Sequence, residues 1–314
     1  MKYALIIPVY QNEASLPDLL DVVTTISNEM DNQLIAVFVV DGSPDQSYVL
    51  LREMLPNKTF PSQLLVLSRN FGSFSAIRAG LEAVEASHYA VMAADLQEPG
   101  ELVSRFFNAL ESDESDVVLG RRIAREDPFL SKVTAQIFWN LYCRFVQPEM
   151  PKGGIDVFGC SRRVRDTLLS LDERNSSLVG LLVWVGYRQQ EIPYTRIERV
   201  QGKSGWTFRK KIAYMLDSAF AFSKLPLMLM FATGFFGLVT SLVVGTIVFL
   251  SWSSGLITVS GYTPIMLSIF FCTSLILIGL GIVGAYVWRT FENTKRRPLS
   301  IVQSVESYSG EQSA

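Results

Sequence analysis

Between Lys224 and Arg289 the chain carries no Asp, Glu, Lys or Arg. A water-facing domain needs charge at a much higher density, so this stretch calls for a lipid surrounding. Within it Pro226–Trp252 and Tyr262–Trp288 each exceed the roughly 20 residues needed to cross a bilayer as a helix, and Gly255 and Gly261 sit in the uncharged connection. The pattern predicts a transmembrane hairpin over 225–290. Arg209, Lys210, Lys211 and Lys224 precede it and Arg289, Lys295, Arg296 and Arg297 follow it. Basic flanks stay on the cytoplasmic side, so both termini are expected there, in a multi-pass protein of the cytoplasmic (inner) membrane. Gly279, Gly281 and Gly284 offer close helix packing within the hairpin or between protomers. Neither span holds an ionisable residue, which argues against an ion pathway.

The first two thirds read as a soluble domain. A net charge of -2 gives no sign of nucleic-acid affinity. Cys143, Cys160 and Cys272 lack metal-ligand spacing and are expected to be buried structural thiols in a reducing compartment. The apolar run at the N-terminus is too short for a signal peptide, so the domain is expected to stay on the side where it is made. Strands are expected at Tyr3–Val9, Leu34–Val40, Gln63–Leu67, Tyr89–Ala93 and Asp116–Leu119. The helices between them open near Ser15, Asp45, Ser73 and Pro99. Repeated β-α units argue an α/β fold, a doubly wound, mostly parallel sheet with its loops gathered at one end.

Ligands bind at the carboxyl ends of strands in such a sheet. Three of those ends carry polar groups: Tyr10 with Glu13, Asp41 with Ser43, and Asp95 with Gln97. In extended backbone Asp95 and Gln97 point to one side, and both can offer hard oxygens to Mg²⁺ or Mn²⁺. Taken alone the stretch also fits an ordinary strand-to-helix turn in which Glu98 and Glu101 suit the helix N-terminus. Neither a dinucleotide fingerprint nor a Walker loop follows any strand, which turns the reading toward a nucleotide-sugar.

Two further stretches look amphipathic. Large apolar residues from Leu130 to Phe145 make a wide face within 128–146, which suits either an interfacial helix or a core helix. Trp206, Phe208, Ile212, Met215, Ala219 and Phe222, beside Arg209, Lys210 and Lys211, predict an interfacial helix over 206–224. The polar tail, 291–314, reads as cytoplasmic, and from Ser300 as disordered.

Five stretches then come in a familiar order: Ile7-Pro8-Val9-Tyr10-Gln11-Asn12-Glu13, Val40-Asp41-Gly42-Ser43-Pro44-Asp45, Leu67-Ser68-Arg69-Asn70-Phe71-Gly72-Ser73, Ala94-Asp95-Leu96-Gln97-Glu98-Pro99 and Arg199-Val200-Gln201-Gly202-Lys203-Ser204. The chain resembles the polyprenyl-phosphate glycosyltransferases, inverting GT-A enzymes of family two that include dolichol-phosphate mannose synthase and the bactoprenol glucosyltransferases. The resemblance implies a GT-A domain over 1–205 that moves a hexose, with UDP-glucose as the default donor, to undecaprenyl or another polyprenyl phosphate. It implies that Pro8, Tyr10, Glu13, Asp41 and Ser43 hold the nucleotide-sugar with Asp95, that Asp95 and Gln97 hold Mg²⁺ or Mn²⁺, and that Arg122, Arg199, Lys203 and Ser204 lie near the lipid phosphate. Asp156 is implied to face the reacting centre, as base or orienter. A lipid bilayer, a flippase and further copies of the chain are the implied partners.

The chain departs from that pattern where many relatives pair carboxylates: Val40 precedes Asp41, and Ala93-Ala94 precede Asp95. A cation would therefore rely more on the donor diphosphate and water. Gly205 also stands where a lysine is frequent. Two rival readings stay in view: a processive polysaccharide synthase, disfavoured because no Gln-x-x-Arg-Trp motif appears, and a catalytically silent membrane scaffold, disfavoured because Asp41, Asp95, Gln97 and Asp156 are kept.

Overall fold

The computed structural model describes residues 1–122, 140, 142–144, 146–151, 155, 157–171, 173, 177–196, 216–223, 225–254 and 261–310. The chain divides into two compact units, Met1–Lys211 with Arg297–Ala314, and Ile212–Arg296. Asp156, Arg199, Lys203 and Ser204 lie outside the described residues, as do most of the amphipathic stretch at 128–146 and the first part of the one at 206–224.

Strands β1 (Tyr3–Val9) and β2 (Leu34–Val40) are buried at nearly every position. A strand apolar on both faces needs helices on both sides, and the chain supplies them. Leu5, Ile7 and Val9 share one cluster with Leu19, Leu20 and Val23 of α1 (Leu16–Glu29). Phe106 and Phe107 of α4 (Gly100–Glu111) join the same cluster. Ile6 and Val39 face the other way, against Gly80 of α3 (Ser73–Ala83). Each large apolar side chain fully withdrawn from water contributes about 1.5–3 kcal/mol, and that fixes which face of each helix turns inward. Between β2 and α3 come α2 (Ser47–Met54) and β3 (Ser62–Leu67). Further along are β4 (His88–Val91), β5 (Val117–Arg122), β6 (Phe158–Ser161), α5 (Arg162–Ser170), α6 (Leu178–Trp184) and β7 (Gln189–Tyr194).

The sheet has eight strands in the order β7-β5-β6-β4-β1-β2-β3-β8. Strand β1 runs parallel to both β2 and β4, so Val9, Val40 and Val91 end at one edge and their loops open together. That is the expected arrangement. Strand β6 is antiparallel to β4 and β5, while β7 returns parallel to β5.

The last strand, β8 (Val302–Tyr308), corrects the expectation of a disordered tail. It pairs antiparallel with β3 from Ser62↔Tyr308 to Leu67↔Val302, which returns the C-terminus to the first unit. Its inward, half-buried positions are Ser304, Glu306 and Tyr308, while Val302 and Val305 are exposed. The usual apolar-in alternation is thus inverted, and polar contacts hold the strand instead. Glu306 accepts hydrogen bonds from the hydroxyls of Tyr48 (2.8 Å) and Tyr308 (2.9 Å) and pairs with Arg52 at 3.3 Å. Beyond it Gly310, at φ +73°, lies so close to Phe60 that a Cβ would sit 2.4 Å from that residue's carbonyl carbon.

In the second unit, helices α7 (Leu225–Ser253) and α8 (Tyr262–Thr294) cover the residues of the two expected spans, and a short helix covers Leu216–Phe222. Among the described residues Phe271–Thr294 is by itself long and apolar enough to cross a membrane, and none of it is buried within the protein. Leu216–Phe222 and Pro226–Gly237 satisfy the same criterion only as a bent pair. Phe235, Phe236, Leu277 and Leu280 are between 61% and 70% exposed. The three cysteines are free, yet only Cys160 is buried. Burial pushes its thiol up to about 12. Cys143 is half-buried and Cys272 exposed, so the expectation of three buried thiols holds for one, because Cys272 lies on an apolar helix with no protein packed over it.

Candidate active site

The loops after β1, β2, β3 and β4 are bound to one another by side chains that the motifs supply. The Gln11 N–H donates to Ser43 Oγ at 2.7 Å, and the Glu13 N–H donates to Asp45 Oδ2 at 3.1 Å. Glu13 returns the contact by accepting from the Gln46 N–H at 2.9 Å. Asp45 also accepts from the hydroxyls of Ser43 (2.6 Å) and Ser47 (2.9 Å). Burial would raise the Asp45 carboxyl, but these donors outweigh it and hold it below the usual carboxylate range. The Ser15 side chain does not cap α1; its hydroxyl donates to Ala94 O at 2.7 Å and ties the start of α1 to the end of β4.

Asp41 is 2% exposed and accepts from the backbone N–H groups of Phe71 (2.7 Å) and Gly72 (2.8 Å). Burial raises its pKa against the pull of those two donors and of Arg69. Both carboxylate oxygens are thereby committed to main chain, which makes Asp41 a brace for the β3-α3 loop. The sequence reading placed it on the donor itself.

Next to it Gly42 has φ +57°, and a Cβ there would lie 2.3 Å from the Arg69 carbonyl carbon and 2.4 Å from the Asn70 nitrogen. Backbone passes over backbone at this point, so no side chain can yield. Gly42→Ala is therefore expected to cost about 3 kcal/mol or more. Chemical denaturation of the purified protein checks this; a loss under about 1 kcal/mol would mean the two loops can part.

At the end of β4 the backbone does not stay extended. Leu96 has φ +54°, and the Gln97 N–H turns back to Asp95 Oδ1 at 3.3 Å. Asp95 and Gln97 are therefore brought together by a turn, which corrects the extended-strand argument for their proximity. A left-handed residue without glycine costs of order 1 kcal/mol, and such strain gathers at functional sites.

Around this turn lies a mixed cluster. Glu98, which suits the helix N-terminus by sequence, is 3% exposed, and its Oε2 has no hydrogen-bond partner among the described residues. Burial, then the charge of Asp95, pushes its carboxyl up to about 7, against the pull of Arg196 and Arg122. Arg196 donates through Nη2 to Gln97 Oε1. Tyr194 pairs in register with Arg122 across β7 and β5, and the two side chains are hydrogen-bonded. Burial, then Glu98, raises the Tyr194 phenol.

The structure thus separates the sequence-derived candidates. Glu13, Asp41 and Ser43 lock loops, Tyr10 is 43% exposed at the same edge, and Pro8 sits in β1 just below it. Asp95, Gln97 and Arg122 belong to one charged cluster with Glu98, Tyr194 and Arg196, three residues the sequence reading did not assign to the site. Arg196 follows a strand that opens on Gln-Gln-Glu and holds a proline, which gives little strand signal.

Among the described residues no three His, Cys, Asp or Glu side chains converge as a cation cage. The β4 end offers one carboxylate, Asp95, and one amide oxygen, Gln97. Two hard donors suit a cation that completes its shell with substrate phosphates and water, as Mg²⁺ does.

Residues 4–170 match the family described as glycosyl transferase family 2. The bactoprenol glucosyl transferase of Shigella phage SfX is 30% identical over 97% of this chain and 99% of its own. A prophage bactoprenol glucosyl transferase homolog of Escherichia coli is 29% identical over 98% and 100%. The solved structure of glucosyl-3-phosphoglycerate synthase from Mycobacterium tuberculosis with uridine diphosphate is a loose likeness, with a TM-score of 0.48 and 14% identity over 69% of this chain and 79% of that one.

Proposed function

We infer, from a chain that belongs to glycosyl transferase family 2 and is a glycosyltransferase, that it moves a hexose from a UDP-sugar to a membrane polyprenyl phosphate. The observation that carries this reading is the Asp95 turn: a carboxylate and an amide oxygen at the open end of the central strands, with Glu98, Arg122 and Arg196 around them. Departure of a nucleoside diphosphate builds negative charge, and acceptance by a lipid phosphate brings a second anion. Such a site needs cations on both sides of the sugar. Bound Mg²⁺ or Mn²⁺, held by Asp95 and Gln97, would stabilise the leaving diphosphate as a Lewis acid.

The chain's own residues do the rest in this reading. The locked β1 and β2 loops, with Pro8, Tyr10, Glu13, Asp41 and Ser43, form the nucleotide side, where Asp41 acts through the loop it braces. Arg122, and in the undescribed segments Arg199, Lys203 and Ser204, receive the lipid phosphate, which is already anionic near pH 7 and needs little general-base help. Asp156 orients the acceptor or steadies the sugar carbon. UDP-glucose is the default donor, and inversion would give a β-linked lipid product for a flippase to carry outward. Self-association through the glycine-bearing helix belongs to the same reading.

The polyprenyl acceptor is supported by relatives named as bactoprenol glucosyl transferases that align almost end to end. A membrane hairpin is supported by α8 and by the sheet itself. Strands from before and after the apolar segment belong to one folded unit, so any crossings between them must be even in number.

Purified full-length protein in undecaprenyl-phosphate vesicles should release UDP from UDP-glucose only when lipid phosphate and a divalent cation are both present. Absence of release across a panel of UDP-hexoses would favour the silent scaffold. A lengthening polymer would favour the processive synthase.

A further inference from the structure

Arg196 is the charged group at this site that the reading above leaves without a task. It sits two residues past β7, donates to Gln97 Oε1, and its Nε is buried with no hydrogen-bond partner among the described residues. Glu98, 3% exposed, keeps Oε2 unpartnered among the charges of Asp95, Arg196 and Arg122. The guanidinium therefore occupies the amide oxygen that a divalent cation would use, and it supplies positive charge next to two carboxylates. Two cations on one amide oxygen repel each other strongly where water is scarce. Arg196 Nε and Glu98 Oε2 thus each keep hydrogen-bonding capacity that no described residue meets, which a polar ligand could take up.

We propose that Arg196 is a resident counter-cation: it holds Gln97 Oε1 and offsets Asp95 and Glu98 until a divalent cation arrives with the donor. It then gives up that oxygen and turns its fork to the diphosphate. The inference rests on Asp95 and Gln97 being the cation's ligands. Arginine suits the exchange because its planar fork can grip an amide oxygen in one state and two phosphate oxygens in the other.

The test uses full-length protein in detergent and two probes without a turnover readout: Mn²⁺ alone, followed by the electron paramagnetic resonance signal of the free ion, and UDP at saturating Mn²⁺. Arg196→Gln should bind Mn²⁺ alone at least about threefold more tightly than the parent, because a repelling charge is gone, and UDP at least about threefold more weakly. A bracing role alone would loosen both or neither. Arg196→Lys keeps the charge and loses the fork; it should leave Mn²⁺ affinity within about twofold while weakening UDP, and it carries the test if Arg196→Gln does not fold.

Mn²⁺ affinity in Arg196→Gln that is unchanged or weaker overturns the proposal, as does the absence of Mn²⁺ binding in both proteins. UDP binding unaltered in Arg196→Lys also overturns it. Failure of the parent itself to bind UDP with Mn²⁺ removes the donor reading and the exchange with it. Normal UDP binding with an unmoved Mn²⁺ affinity removes the exchange alone.

Discussion

Asp95→Asn is expected to slow sugar transfer about 10²–10³-fold at unchanged fold stability, the loss typical of removing one preorganised group from a developing charge. The substitution is nearly isosteric. Its remaining side-chain oxygen can still accept from the Gln97 N–H, so the turn at Leu96 has no reason to open. What disappears is the negative charge that would hold a cation against the departing diphosphate. Single-turnover rates with saturating UDP-glucose and undecaprenyl phosphate, alongside thermal unfolding, separate chemistry from folding. A rate within about threefold of the parent would take Asp95 out of the cation's shell. Equal loss of rate and stability would make it a structural residue.

The second large effect concerns the C-terminus. Termination after Arg297 removes β8 while leaving the hairpin intact, and it exposes the β3 edge from Ser62 to Leu67. Loss of the ladder and of the Tyr48, Arg52 and Tyr308 contacts to Glu306 is expected to cost about 2–3 kcal/mol, from net values near 1 kcal/mol per hydrogen bond less the entropy of ordering the strand. That corresponds to a fall in Tm of roughly 5–10 °C. An open edge should also promote aggregation. Replacing 212–296 by a flexible Gly/Ser linker, which spares β8, should instead give a soluble domain that binds UDP. A chain ending at residue 211 that is as soluble and stable as the linker version would show that β8 is dispensable.

Most of the first unit could be read before any coordinates, because β1 and β2 are apolar runs throughout, β3 and β4 largely so, and helix-length segments separate them. The convergence of Glu13, Ser43 and Asp95 at one edge followed from strand order alone. What the pattern hid has physical causes. Phe158–Ser161 is too short for a periodic signal, and Gln189–Tyr194 is polar at an edge. The Val302–Tyr308 strand turns its polar residues inward, which reads as a tail. The burial of Glu98 is likewise not legible in the pattern. A helix-terminal acid is normally wet, yet this one is 3% exposed beside the charges of Asp95, Arg196 and Arg122. Asp41 braces the loop after β3 through two N–H groups that lie about 30 residues away in sequence, a pairing that no local motif spells out.

Strand β8 also sets a timetable. Ribosomes add about 5–20 residues per second, so residue 308 leaves the peptidyl-transferase centre some 6–22 s after residue 196, and only once the apolar helices have been made. Throughout that interval β3 is an open edge, and the catalytic half of the sheet waits for its final partner. The strand that closes it can be threaded into place only after translation has passed through α7 and α8, so the sheet is completed later than either apolar helix is made.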